Sequence, residues 1–136
     1  MNFSSATKLF LVTILFVLFN ACGKYEEGPG FSLRTKKARL VGKWIPVKFI
    51  NESGSQAAGD NEATHEFTND NTYIISGELG TSTGTWEFIN DKASVRTKYE
   101  AFLIGEVVND WEIVRLTNSE LWVRNAQGLQ INLEPI

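Results

Sequence analysis

The sequence predicts an all-β domain, an antiparallel up-and-down barrel of about eight short strands, with a β-sandwich as the alternative arrangement. Three observations carry this expectation. Turn signals recur at short intervals after Gly42: Asn51-Glu52-Ser53-Gly54, Asn69-Asp70-Asn71, Gly80 to Gly84, Asn90-Asp91, Asn109-Asp110, Asn118-Ser119 and Gln127-Gly128. Between them lie short runs rich in β-branched and aromatic residues. Several runs alternate apolar with polar residues, as in Leu129-Gln130-Ile131-Asn132-Leu133-Glu134, Thr85-Trp86-Glu87-Phe88 and Thr64-His65-Glu66-Phe67. That alternation suits strands with one buried and one wetted face. Short connections imply antiparallel neighbours, although periodicity does not disclose strand order.

The N-terminal segment has a different character. Residues 1–8 are polar and include Lys8, and residues 9–19 (LFLVTILFVLF) form an uncharged run of eleven. At about 1.5 Å per residue such a run is too short for a hydrocarbon core of about 30 Å. Its length, basic flank and following Ala21 fit a secretory signal peptide at residues 1–21. Leu18-Phe19-Asn20-Ala21-Cys22-Gly23 resembles the lipobox of bacterial lipoproteins, departing from it at Phe19 and Asn20. The resemblance implies that Cys22, the single cysteine, accepts lipid such as palmitate-bearing diacylglycerol and becomes the first residue of the mature chain. A thiolate is nucleophilic enough for that step, and two or more acyl chains hold a protein to a membrane durably. The implied location is the bacterial cell envelope, at the outer membrane, facing either the periplasm or the surface. Glu26-Glu27 after the cysteine resembles a surface-export signal, against the alternative of a plain solvated tether.

Residues 22–31 read as the lipidated cysteine and a flexible tether, since GKYEEGPGF is rich in Gly, Pro and charge. Residues 32–136 are then one small domain by length. A short helix over residues 33–41, capped by Ser32 and ended by Gly42, opens it. Its basic face (Arg34, Lys36, Lys37, Arg39) suits either solvent or anionic lipid. Strands are expected at 43–50, 63–69, 72–78, 83–90, 93–99, 101–108, 111–117 and 120–125, with 129–134 as a ninth. Pro46 lacks a ladder donor, which places the first strand at an edge or a bulge. Residues 51–62 form the longest polar loop.

Leu40-Val41-Gly42-Lys43-Trp44 opens the first strand with Gly-x-Trp. Phe67-Thr68-Asn69-Asp70-Asn71-Thr72-Tyr73 is a hairpin with an aromatic residue on each arm. Gly84-Thr85-Trp86-Glu87-Phe88 starts another strand, and residues 111–121 pair two more. In this order the motifs, spanning about residues 38–134, resemble the lipocalin-like domains of small bacterial lipoproteins, mostly of unknown function. The resemblance implies an up-and-down barrel with Trp44 near its closed end. For strands this short, an interior filled by side chains or a shallow mouth is expected.

The chain offers little for catalysis, and no enzymatic activity is expected. His65 is the single histidine and shares a strand face with Phe67, so a structural role is the plainer reading. No cluster of His, Asp and Glu has metal-ligand spacing, no Gly-x-Ser-x-Gly occurs, and Gly77 to Gly84 lacks the Lys and helix of a phosphate loop. No cofactor is implied. Without residues 1–21, whose one charged side chain is Lys8, the formal net charge goes from −3 to −4, which argues against nucleic acid. The aromatic residues remain. Trp44, Phe67, Tyr73, Trp86, Phe88, Trp111 and Ile113 are candidates for the core or for the lining of a small apolar site. One reading is a binding module whose cavity is lined by Trp44, Tyr73, Trp86 and Ile113. A second is an interaction protein docking an envelope protein or polysaccharide. Trp122, between inward-facing Leu121 and Val123, would then be its exposed contact. A third is an inhibitor acting through the loop at 51–62.

Overall fold

The computed structural model of the protein describes residues 33–59 and 63–136, and among these described residues strands follow one short helix. Cys22, the segment before it, Glu26-Glu27 and Ser32 lie outside the described residues. Helix α1 is Lys36–Leu40. The strands are β1 (Gly42–Ile50), β2 (Gln56–Ala58), β3 (Thr64–Phe67), β4 (Thr72–Gly77), β5 (Gly80–Ile89), β6 (Ser94–Ala101), β7 (Gly105–Leu116), β8 (Leu121–Arg124) and β9 (Gln130–Pro135).

From β3 onward each strand pairs antiparallel with the next, the meander that short connections predict. Strand β1 pairs with β9 from Trp44 to Ile50, which closes the sheet. On its other edge β1 meets β3 at Gly42–Trp44 and β2 at Lys48–Ile50. Strands β2 and β3 thus share one edge in succession, and the closed barrel has eight strands around it. Closure removes the free sheet edge that an open meander would expose. Pro46 sits where the β1–β9 register slips between Pro46 and Lys48. This bulge accommodates its missing N–H.

Four sequence expectations need correction. Asn109-Asp110 is no turn, because β7 runs unbroken through it. Asn109 pairs in register with Thr97, and Asp110 takes a two-pronged ion pair from Arg96 at 2.6 and 2.7 Å. The reversal falls instead on apolar Phe102-Leu103-Ile104, with Leu103 in the left-handed region at φ 67°. The polar stretch at 51–62 contains β2, whose backbone finds partners along β1. Of Gly77 to Gly84, only Glu78-Leu79 forms the turn, between paired Gly77 and Gly80. The helix is shorter than expected, with Thr35 as its N-cap accepting from the Ala38 N–H at 3.1 Å. A side-chain oxygen here satisfies a donor that the first helical turn leaves open.

Helix α1 plugs one end of the barrel. Leu40 is fully buried, and its carbonyl accepts the Trp44 indole N–H at 2.8 Å. Lys37 reaches Asn71 at the β3–β4 turn and lies over the Trp86 ring, 5.6 Å from its centroid. Arg34 reaches Asn118 at the β7–β8 turn. Beneath the plug, Leu40, Trp44, Phe67, Trp86, Ile113, Leu116, Leu121 and Leu133 belong to one buried core cluster.

Candidate ligand cavity in the barrel interior

Above that core the inward side chains stop short of filling the barrel. They leave a cavity of about 120 Å³. Its walls are His65 and Phe67 of β3, Tyr73 and Ile75 of β4, Val95, Thr97 and Tyr99 of β6, Asn109 and Trp111 of β7, Leu121 and Val123 of β8, and Ile131 and Leu133 of β9. On every contributing strand the lining residues lie two apart, as the pleat requires. They also oppose one another across the ladder: Phe67 with Tyr73, His65 with Ile75, Val95 with Trp111, Thr97 with Asn109, Val123 with Ile131 and Leu121 with Leu133.

Strand β5 lends no side chain to this lining. At that level it carries Gly84, opposite Tyr73 on one side and Tyr99 on the other. The two tyrosine rings meet across the glycine with centroids 5.8 Å apart. A Cβ at Gly84 would overlap the Lys98 carbonyl, so the close passage of β5 and β6 requires glycine.

The polar groups of the cavity are few. His65 Nδ1 and the Tyr73 hydroxyl are 2.6 Å apart. Burial pulls the imidazole down from 6.5 to about 4. Burial, and secondarily Tyr99, pushes the Tyr73 phenol up. Near neutral pH the pair is therefore uncharged. In the tautomer protonated at Nε2, His65 accepts the Tyr73 hydroxyl proton at Nδ1. Thr97 is 2% exposed, and its hydroxyl is buried with no hydrogen-bond partner. Among the described residues no group of three or more His, Cys, Asp or Glu side chains could hold a metal ion.

The cavity draws on only part of the aromatic set singled out in the sequence. Phe67, Tyr73 and Trp111 line it. Trp44, Trp86 and Ile113 do not; they are buried in the core at the plugged end. Phe88 packs edge-on against Trp86, centroids 5.4 Å apart, also outside the lining. Trp122 points outward, yet it is half-buried, with the Arg115 guanidinium 5.1 Å above its ring. Arg115 is itself held by Glu120 at 2.7 Å. Freely exposed apolar side chains lie elsewhere: Leu33 just before α1, and Leu79, Phe102, Leu103 and Ile104 on the β4–β5 and β6–β7 hairpins at the end opposite α1, each at least 78% exposed. Sequence reasoning missed Thr97, Tyr99 and Asn109. The alternation through 95, 97 and 99 held the signal, but reading Asn109-Asp110 as a turn broke the matching series 109–111.

These features define a small closed antiparallel barrel with a partly hollow apolar interior, a lipocalin-like fold. Solved structures share it. A lipocalin-like protein from Bacteroides uniformis superposes with a TM-score of 0.55 at 15% identity, covering 72% of this chain and 99% of that one. An uncharacterized protein from Bacteroides eggerthii gives 0.55 at 12% identity, covering 71% and 99%. A DUF4847 family protein from Bacteroides vulgatus gives 0.50 at 12% identity, covering 73% and 95%. No family model matches the chain, and no curated protein matches it significantly.

Proposed function

We propose that this protein is a non-catalytic binding module that holds a small, largely apolar ligand inside the barrel and is anchored to the bacterial cell envelope through lipid on Cys22. The observation that supports the first part is the cavity, a void with mostly apolar walls and a few polar residues, His65, Thr97 and Asn109, among those that line it. Binding sites pair apolar walls with a few placed polar groups. Native mass spectrometry of the protein purified from its own host tests this reading. A small molecule is expected on the wild type and absent from Val123→Phe, which fills the void. A wild type carrying none, and unaffected by the filling change, overturns it. The anchor rests on the lipobox resemblance. Radiolabelled palmitate should enter the wild type and not Cys22→Ser, and an unlabelled wild type overturns the anchor.

The exposed hairpin tips favour a second reading. Leu79 and Phe102-Leu103-Ile104 are exposed on the tips of the β4–β5 and β6–β7 hairpins, with Glu78, Glu100 and Glu106 near them in the chain. Such a surface suits an apolar, basic face of a partner protein. Trp122, half-buried with Arg115 over its ring, is the alternative contact. A Phe102→Ser, Leu103→Ser variant should lose a partner crosslinked in host membranes while the barrel melts as before. Unchanged crosslinking refutes the patch.

A further inference from the structure

We propose that the β6–β7 hairpin is a recognition knob: Leu103 seats in an apolar hollow on a partner protein, and a lysine or arginine beside that hollow lies between Glu100 and Glu106. This rests on the docking reading above and names the residues and the chemistry that carry it.

The hairpin departs from what folding alone favours at two places. The first is its tip. Leu103 sits in the left-handed region at φ 67°, where Cβ crowds the following carbonyl of an L-residue. Glycine, asparagine and aspartate take that conformation most readily. The other non-glycine residues at positive φ among the described residues are Asn71, Asn90, Asp91 and Lys92, so Leu103 is the apolar exception. Burial within the barrel does not offset the strain. Phe102, Leu103 and Ile104 are 86%, 91% and 78% exposed.

The second place is the neck. Glu100 and Glu106 stand directly opposite each other in the ladder, and both are exposed. Like charges in that position destabilise a strand pair. Lys98 meets Glu106 at 3.1 Å, and one ammonium against two carboxylates leaves the neck negative.

Strain and exposed apolar side chains kept at the expense of stability mark a place of contact. The occupant follows from the same residues. Three apolar side chains in succession on a hairpin tip suit an apolar interface core, with charged groups at its rim. The two facing carboxylates call for a cation on the other side. A bilayer suits the tip less well. The chain enters from Cys22 at the α1 end, so the anchor draws that end toward the membrane, and the carboxylates repel anionic headgroups. A second copy would set its own Glu100 and Glu106 against the same pair.

The test uses the full-length protein in host membranes with a photo-crosslinking side chain in place of Ile104, together with urea unfolding of each variant. The unaltered hairpin should give an adduct with one protein. Leu103→Asn, which suits the left-handed backbone, should raise the folded-to-unfolded ratio about fivefold and cut the adduct about tenfold. Glu100→Gln, which relieves the facing charges, should raise that ratio about twofold and cut the adduct about threefold. A Leu103→Asn variant that keeps its adduct, or that is less stable than the wild type, overturns the knob. If Phe102→Ser, Leu103→Ser removes the adduct while Leu103→Asn and Glu100→Gln leave it, the docking reading stands and this inference falls. Adducts with lipid or with a second copy overturn it as well, and a wild type that gives no adduct ends both readings.

Discussion

Mild acid should weaken this fold through one imidazole. His65 titrates at about 4 in the barrel against an ordinary 6.5, because burial disfavours its charged form. Below pH 6.5 the unfolded chain takes up a proton that the folded chain refuses until about pH 4. Stability is therefore full above 6.5 and falls as the pH drops between the two values. At 1.36 kcal/mol per pKa unit the whole loss is about 3 kcal/mol, and about 2 kcal/mol of it falls between pH 7.5 and pH 5. That is a large part of the roughly 5–15 kcal/mol that holds a domain together. The group facing the ring at hydrogen-bond distance is the Tyr73 hydroxyl, while Glu66, next in the chain, lies near Lys43 at 3.7 Å. Asp70 and Asp110 belong to a lower window. Hydrogen bonds from Thr68 and Thr72, and from Arg96, hold them below the usual carboxylate range. Urea unfolding at constant ionic strength across pH 7.5 to 5 measures the effect. The comparison is His65→Leu with Tyr73→Phe, which removes both partners together and avoids stranding a buried hydroxyl. The wild type should lose about 2 kcal/mol over that range and the double variant should stay nearly flat. A flat wild type, or a double variant equally steep, refutes the reasoning.

Two further predictions concern the frame around the cavity. Gly84→Ala places a methyl group against the Lys98 carbonyl and the Tyr99 backbone. Since backbone cannot swing aside as a side chain does, thermal unfolding should show a loss of about 1–3 kcal/mol, and an unchanged melting temperature would argue against the close passage of β5 and β6. Trp44→Phe keeps most of the buried ring and removes the N–H that holds the Leu40 carbonyl. About 1–3 kcal/mol should be lost, with hydrogen exchange at the amides of α1 rising more than in the strands; uniform exchange would place the plug's hold elsewhere.

Much of the architecture can be read from short-range pattern. Residues 129–134 alternate apolar and polar and form β9 almost to the residue, and Thr85-Trp86-Glu87-Phe88 lies within β5 with Trp86 buried and Glu87 exposed. The motif order from Gly42-Lys43-Trp44 onward points to the lipocalin-like barrel that the structure has. The pattern fails where a local signal competes with a distant one. Asn109-Asp110 has turn chemistry by itself, yet Thr97 and Arg96 on the neighbouring strand hold it extended. Gln56–Ala58 looks like loop until β1 supplies a ladder.

The sequence by itself determined the strand class, the antiparallel succession and the inward or outward face of most side chains, because these depend on period-two alternation and on turns a few residues long. Only the tertiary structure decided the closure of β1 on β9 and the level of each side chain along the barrel axis. Trp44, Tyr73 and Trp86 all face inward, yet only Tyr73 reaches the cavity. That level follows from strand stagger, from the bulge after Pro46 and from the passage at Gly84, contacts between residues far apart in the chain. The same long-range register buries the Thr97 hydroxyl without a hydrogen-bond partner, which no reading of residues 93–99 alone reveals.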